Sequence, residues 1–239
     1  MPILASHHDK GLNAMSIPRQ LLTLPWLLPL PVLATGIELD FIGPELTGVY
    51  QVHDGKAQGE LVVMLQQLGS QAGIQWRYRL ATPARVEVTL GSQQNVCSLH
   101  LQSRRQRSDY QVIGILGEHA IVAYSGMHDR IGLDELAQLP ASQRLGFGSG
   151  LKSLLQRQGL NVIEHPSLAT AVQLVGLGRA RVLLTTQISM YSLQPAPLLR
   201  RIGTLGKADN VLACSRQLPP GVAARLRQAL SRLLIPFTL

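Results

Sequence analysis

Between residues 144 and 186, short apolar runs alternate with stretches in which apolar residues recur at helical spacing. Runs of this kind predict strands, and the helical spacing predicts amphipathic helices whose ends are marked by glycine. The predicted order is a strand before Gly148, a helix that ends at Gly159, a strand at 161–163, a helix from Ser167 to Gly178, and a strand at 182–184. This β-α-β-α-β order is typical of a parallel sheet covered by helices.

The rest of the chain continues the same alternation of strands and helices. The predicted elements are strands at 37–42, 74–80, 95–101, 120–124 and 211–214, helices at 61–72 and 222–234, a short helix from Pro83, and a helical turn at 133–136. A turn is predicted at 53–56, where His-Asp-Gly-Lys follows a loop. The pattern therefore favours an α/β protein, and 239 residues are enough for one large domain or two small lobes.

The turn at 148–150 reads Gly-Ser-Gly and lies where a predicted strand enters a predicted helix. Such a turn leaves backbone N–H groups and one hydroxyl pointing into solvent at the positive end of the helix dipole. Gly148 and Ser149 are therefore expected to bind a carboxylate or another anion.

The spacing of this region resembles the second lobe of the type II periplasmic solute-binding proteins, in the family 3 group associated with uptake of polar amino acids. Residues 37–73 resemble the opening strand, aromatic-bearing loop and first helix of that family, and the passage QSRRQRSDYQVIG resembles its arginine-containing segment. The resemblance extends in order and spacing over nearly all of residues 37–235. It implies an α/β, two-lobed fold with a ligand cleft between the lobes.

The resemblance also implies the boundaries of the lobes. Lobe 1 is expected to comprise residues 37–122 and 206–239, and lobe 2 residues 123–205. The strands near residues 120 and 205 are expected to form the hinge. Under this interpretation no sheet runs continuously through both segments.

Ligand contacts follow residue by residue from the resemblance. Arg107 stands at the arginine that grips the ligand carboxylate, for which a guanidinium is suited because its donors form a fixed fork and keep their charge. Tyr50 stands where the family has a ring that stacks on ligand, although a half-buried loop aromatic is equally consistent with the sequence. The complete set of expected ligand residues is Tyr50, Gln102, Arg107, Gly148, Ser149 and Thr186.

Three positions depart from the family pattern. Val63 and Arg181 occupy positions where the family often has an aspartate, and Thr186 lies at or beside a second acidic position. Because a buried ammonium requires a paired carboxylate, these departures favour a ligand without an α-ammonium. The alternative is that Arg181 points to solvent and that another acid, Glu45 or Glu60, has taken over.

The expected function is capture of a small anionic or amino-acid-like solute by a monomeric periplasmic protein that serves an ABC-type transporter permease. The alternatives are a dehydratase-like enzyme on the same fold, a sensory binding domain, and a degenerate domain that has lost binding. The excess of 22 Lys and Arg over 14 Asp and Glu gives a net charge of +8, which favours acidic partners. Basic residues are scattered rather than interleaved with aromatics, which argues against nucleic acid.

No cofactor, metal site or catalytic set of residues is expected. The histidines form no HxxH or HExxH motif, and His100, His119 and His128 are interpreted as surface or strand residues. Cys97 and Cys214 are too far apart in sequence for a CxxC motif. The family topology places their strands side by side, but two buried free thiols are the favoured state.

Residues 1–36 are interpreted as a leader and signal peptide. Met15 is the expected initiator, because Arg19, the apolar run 21–33 and the small residue Ala34 then make a secretory signal. The mature protein is expected to begin near Thr35 or Ile37 and to be soluble in the periplasm.

Overall fold

The structure is a computed structural model that describes residues 36–102 and 109–233. The predicted leader and signal peptide, apart from Gly36, and the predicted ligand residue Arg107 lie outside these residues. The described residues belong to one compact unit. No helix among them is long and apolar enough to cross a bilayer.

Eight strands form a single mixed sheet, and two short strands form a hairpin beside it. The strands are β1 (Ile37–Gly43), β2 (Gln51–His53), β3 (Lys56–Gln58), β4 (Ile74–Leu80), β5 (Val96–Gln102), β6 (Tyr110–Gly126), β7 (Arg144–Phe147), β8 (Ile163–Glu164), β9 (Val182–Thr186) and β10 (Leu199–Ser215). The order across the sheet is β4-β1-β5-β10-β6-β9-β7-β8. Strands β2 and β3 form the hairpin around the turn predicted at 53–56.

Helices cover both faces of this sheet. They are α1 (Glu60–Ala72), α2 (Pro83–Ser92), α3 (Leu151–Arg157), α4 (Leu168–Gly176), α5 (Gln187–Tyr191) and α6 (Pro220–Arg232). The predicted signals at their ends are present: the Ser167 hydroxyl accepts the Thr170 N–H at the start of α4, and Gly73 ends α1 in the left-handed conformation. The short helix α5 has no counterpart in the sequence prediction.

Strands β6 and β10 connect the two ends of the sheet. Each has 17 residues, and they pair antiparallel from Leu199 opposite Gly126 to Ser215 opposite Tyr110. On one side of this pair β1, β4 and β5 are parallel, and on the other side β7, β8 and β9 are parallel. The continuous pairing contradicts our expectation of a separate sheet in each lobe, while the lobe boundaries near residues 122 and 206 stay a prediction.

Alternation along buried strands distributes the core over both faces of the sheet. On β9, Val182 and Leu184 pack with the cluster that contains α3, whereas Leu183 packs with the cluster that contains α4. On β1, Phe41 packs with α1 and α6, and Ile42 packs with α2. Strands buried on both faces carry continuous apolar runs, which is why 182–184 reads as such a run in the sequence.

Cys97 and Cys214 form a disulfide bond. They lie directly opposite each other on the antiparallel pair of β5 and β10, and both are fully buried. The expectation of two free thiols is therefore wrong. The resemblance had already placed their strands side by side, but it did not give the register of β5 and β10, which sets the two cysteines directly opposite each other.

Candidate functional site

A cavity of about 70 Å³ lies beside the turn that follows β7. The end of β1, the loop after it, β5 and the long strands β6 and β10 also contribute residues to its wall. Apolar side chains make up most of its wall, among them Phe41, Leu99 and Phe147. The polar residues at the wall are Ser98, His119, Ser149, Thr186, Ser189 and Asn210. The site therefore combines a hydrophobic body with a small number of hydrogen-bonding groups, as small-molecule pockets do.

The turn between β7 and α3 is fixed against β5. The Leu101 N–H donates to the Ser149 carbonyl oxygen at 2.9 Å. Gly150 has φ 82°, and His100 Nε2 lies 2.6 Å from the point that a Cβ on Gly150 would occupy. Only glycine meets both requirements here, because other residues strain at positive φ and would collide with His100.

One backbone N–H group of this turn binds a carboxylate of the same chain. The Gly150 N–H donates to the Glu87 Oε1 carboxylate oxygen of α2 at 3.2 Å. The Gly150 N–H is therefore satisfied by an internal carboxylate. Ligand contact by Gly148 and Ser149 stays a prediction.

Ser149 and His119 are buried polar residues of the cavity wall. Their side-chain atoms Ser149 Oγ and His119 Nε2 are buried and have no hydrogen-bond partner in the part of the chain that the structure describes. Burial lowers the pKa of the His119 imidazole below its usual value, which favours the neutral ring. His119 was interpreted only as a surface or strand residue in the sequence, because its position on β6 next to a cavity depends on long-range strand pairing.

Tyr50 borders the cavity but is held by the core. Its side chain is 1% exposed, and its hydroxyl lies 3.2 Å from the Phe41 carbonyl oxygen and 3.0 Å from the Arg79 carbonyl oxygen. Its ring packs edge-on against Phe41, with 5.2 Å between ring centroids. Burial raises the pKa of the Tyr50 phenol, so the hydroxyl is neutral. Tyr50 is thus a fixed wall residue, and stacking on ligand stays a prediction.

The remaining predicted ligand residues differ in position. Thr186 borders the cavity, but its hydroxyl caps α5 by accepting the Ser189 N–H at 3.3 Å. Gln102 lies at the end of β5 outside the cavity wall, and its buried Oε1 has no hydrogen-bond partner within residues 36–102 and 109–233. The structure therefore brings Tyr50, Gly148, Ser149 and Thr186 together at one cavity, without Gln102.

Arg181 does not face this cavity. Its guanidinium binds both carboxylate oxygens of Asp129, at 3.0 Å from Nε and 2.8 Å from the terminal nitrogen, and it holds the pKa of the Asp129 carboxyl below its usual value. Val63 is exposed on α1 and lies outside the cavity wall. These two substituted positions therefore contribute no charge to the described wall.

Within residues 36–102 and 109–233, the cavity wall carries no Asp, Glu, Lys or Arg side chain. Glu60 lies outside it. Glu45 borders a neighbouring cavity of about 230 Å³, which shares Pro44 and Phe147 with the first. In the same described part of the chain, no group of three or more His, Cys, Asp or Glu side chains is arranged to hold a metal ion.

Comparisons with known proteins identify relatives by structure rather than by sequence. No protein-family model and no curated protein sequence matches this chain. The arginine-, lysine- and histidine-binding protein of the thermophilic bacterium Geobacillus stearothermophilus is 11% identical over 81% of this chain and 88% of its own, with a TM-score of 0.66. A putative L-cystine ABC transporter protein of Listeria monocytogenes is 12% identical over 82% and 89%, with a TM-score of 0.64.

A third similar structure is a histidine kinase sensor domain described as similar to periplasmic binding proteins. It is 15% identical over 81% of this chain and 89% of its own, with a TM-score of 0.66. At these identities the likeness shows the fold alone. The fold implied by the sequence resemblance is thereby confirmed, and this chain has the α/β, two-lobed fold of periplasmic-binding-protein-like domains.

Proposed function

We propose that this protein captures a small carboxylate that lacks an α-ammonium and presents it to an ABC-type membrane transporter. The observation that carries the proposal is the cavity against which the predicted ligand residues Ser149 and Tyr50 pack. The fold adds support, because two of the similar structures are an amino-acid-binding protein and a protein named for an ABC transporter.

The absence of an ammonium from the ligand is supported by the charges around the cavity. A buried ammonium needs a nearby carboxylate to offset its desolvation. The described wall has none, and the carboxylate of Asp129 is already bound to Arg181. A carboxylate needs a positive charge and hydrogen-bond donors, which are supplied in this proposal by Arg107 and by the Ser149 hydroxyl. The Ser149 hydroxyl has no partner among the described residues.

Export to the periplasm and a monomeric state belong to the same proposal. The disulfide between Cys97 and Cys214 supports export, since disulfides persist in oxidising compartments such as the periplasm. A transporter permease is the proposed partner. A sensory role is the second candidate, because one similar structure is the sensor domain of a histidine kinase. Capture of a solute is common to both roles.

A thermal-shift screen of the twenty amino acids against small organic acids tests the proposal. A ligand that binds only the folded state raises the melting temperature, so we expect a rise with an organic acid and none with amino acids. A clear rise with an amino acid, together with a carboxylate beside its ammonium in the complex, would contradict the ammonium-free ligand. A screen without any stabilising solute would favour a domain that has lost binding, and turnover of a stabilising solute would favour an enzyme.

Replacement of Arg107 by Ala is expected to weaken ligand binding by about 1.5 to 3 kcal/mol, because a charged hydrogen bond to the carboxylate is lost. Isothermal titration with the acid that stabilises the wild-type protein measures this change. Arg85→Ala is a matched control, since Arg85 is exposed on α2 and is absent from the wall of the cavity. Equal affinity of the Arg107→Ala and wild-type proteins would remove Arg107 from the site.

A further inference from the structure

Two residues that each carry an unsatisfied polar atom line the same cavity. Ser149 Oγ comes from the turn after β7 and His119 Nε2 comes from β6, and their residues are only 6% and 7% exposed. Nearly all buried polar side-chain atoms in proteins have a hydrogen-bond partner. Other buried atoms, such as Trp76 Nε1 and Arg144 Nε, also lack a partner among the described residues. Ser149 and His119 differ from these because both belong to the wall of one cavity, where a bound small molecule would supply the partner of each.

The size of the cavity limits this partner. One water molecule needs roughly 10 to 15 Å³ of cavity volume. A cavity of about 70 Å³ therefore holds about five water-sized groups. Pockets for drug-sized ligands are several times larger, at about 300 Å³ or more. The rest of the wall is mainly apolar, with Phe41, Leu99 and Phe147 among its residues. The partner is therefore short, with a polar end and an aliphatic end.

On the basis of the proposed function, we propose that His119 and Ser149 bind the carboxylate of a short-chain aliphatic acid of about five or six non-hydrogen atoms. A neutral imidazole donates one hydrogen bond from Nε2, and a serine hydroxyl donates one from Oγ. A carboxylate accepts at both of its oxygens and at more than one site on each, so it can receive these two donors together with the predicted donor Arg107. The aliphatic chain packs against the apolar wall, where its burial stabilises the complex through the hydrophobic effect. A larger polar ligand would lack this stabilisation.

The proposal separates acids from their uncharged relatives. The amide of the same acid has nearly the same shape, but it replaces one acceptor oxygen by an NH₂ donor, so Ser149 would have to accept from it instead of donating to a charged oxygen. Hydrogen bonds to a charged acceptor are also stronger than those to a neutral one. Short acids should therefore bind more tightly than the corresponding amides.

Isothermal titration calorimetry with propionate, butyrate and isobutyrate tests this inference, with propionamide and butyramide as uncharged counterparts and octanoate as an acid that is too long. We expect the short acids to bind at least about tenfold more tightly than the amides, and octanoate to bind more weakly than butyrate. His119→Ala and Ser149→Ala should each weaken butyrate binding by about tenfold to a hundredfold.

His119→Gln keeps a neutral donor and should restore part of the lost affinity. His128→Ala is the matched control, because His128 is exposed and is absent from the wall of the cavity; it should bind butyrate like the wild-type protein. A direct measurement needs no variant: the ring nitrogen resonances of His119 should shift when butyrate is added, whereas those of His128 should not.

The outcomes distinguish this inference from the proposed function. If no small solute of any kind binds the wild-type protein, the proposed function fails, and this inference fails with it. If a longer or ammonium-bearing solute binds and His119→Ala and Ser149→Ala bind it unchanged, solute capture stands and this inference is overturned. Butyrate binding that neither variant weakens would overturn it as well.

Discussion

Removal of the disulfide between Cys97 and Cys214 is expected to lower the free energy of unfolding by about 3 to 5 kcal/mol, as the loop-closure model predicts for a bridge that closes a loop of about this length. The two cysteines are 117 positions apart, and the bridge joins β5 to β10 in the centre of the sheet. Denaturant unfolding of Cys97→Ala/Cys214→Ala beside the wild-type protein measures the change.

The control for this experiment uses the reductant itself. Dithiothreitol reduces the bridge once unfolding exposes it, so it should lower the unfolding midpoint of the wild-type protein. It should leave the midpoint of the double variant unchanged. Equal midpoints of the oxidised wild-type protein and the double variant would show that the bridge adds no stability.

Gly150→Ala is expected to destabilise the fold by about 3 to 4 kcal/mol, whereas Gly159→Ala is expected to cost about 1 to 2 kcal/mol. Both glycines are in the left-handed region, with φ 82° and φ 80°. They differ in surroundings: a Cβ on Gly150 would meet the Leu101 carbonyl oxygen and the His100 ring, and a Cβ on Gly159 would meet nothing within 4 Å. The difference between the two variants therefore isolates the contact between the turn and β5.

Chemical denaturation of both variants gives this difference. The two glycines flank the same helix, α3, so the helical context is shared. Similar losses of unfolding free energy in the two variants would mean that backbone strain alone determines the effect. They would also mean that β5 and the turn can separate at little cost in stability. Titration of Gly150→Ala with a stabilising acid then shows whether this contact also shapes the cavity.

Local signals in the sequence predicted most of the helices and the short parallel strands. Glycine at position 73 and serine at position 167 act on their own neighbours, so their effect can be deduced without knowledge of the fold. The full lengths of β6 and β10 were missed. Glycine and charged residues interrupt their alternation, and their extent is set by pairing with each other.

The candidate site was predictable only where a motif marked it. The Gly-Ser-Gly turn identified Ser149, whereas His119 and Glu87 have no local signal, because β6 and α2 approach the turn only in the folded chain. The resemblance to a family placed Tyr50 near the ligand, and the structure shows its ring at the cavity and its hydroxyl in the core.

The pairing of β6 with β10 is offset four times, including once between Thr204 and Gly206, opposite Val122 and Ile121. At such an offset one residue has no partner in the ladder, so the pairing is locally disrupted and the strand that carries the extra residue bends. We therefore expect the paired strands β6 and β10 to be mechanically compliant at these four points and stiffer between them. Flexing of the two sheet ends against each other would concentrate at the offsets.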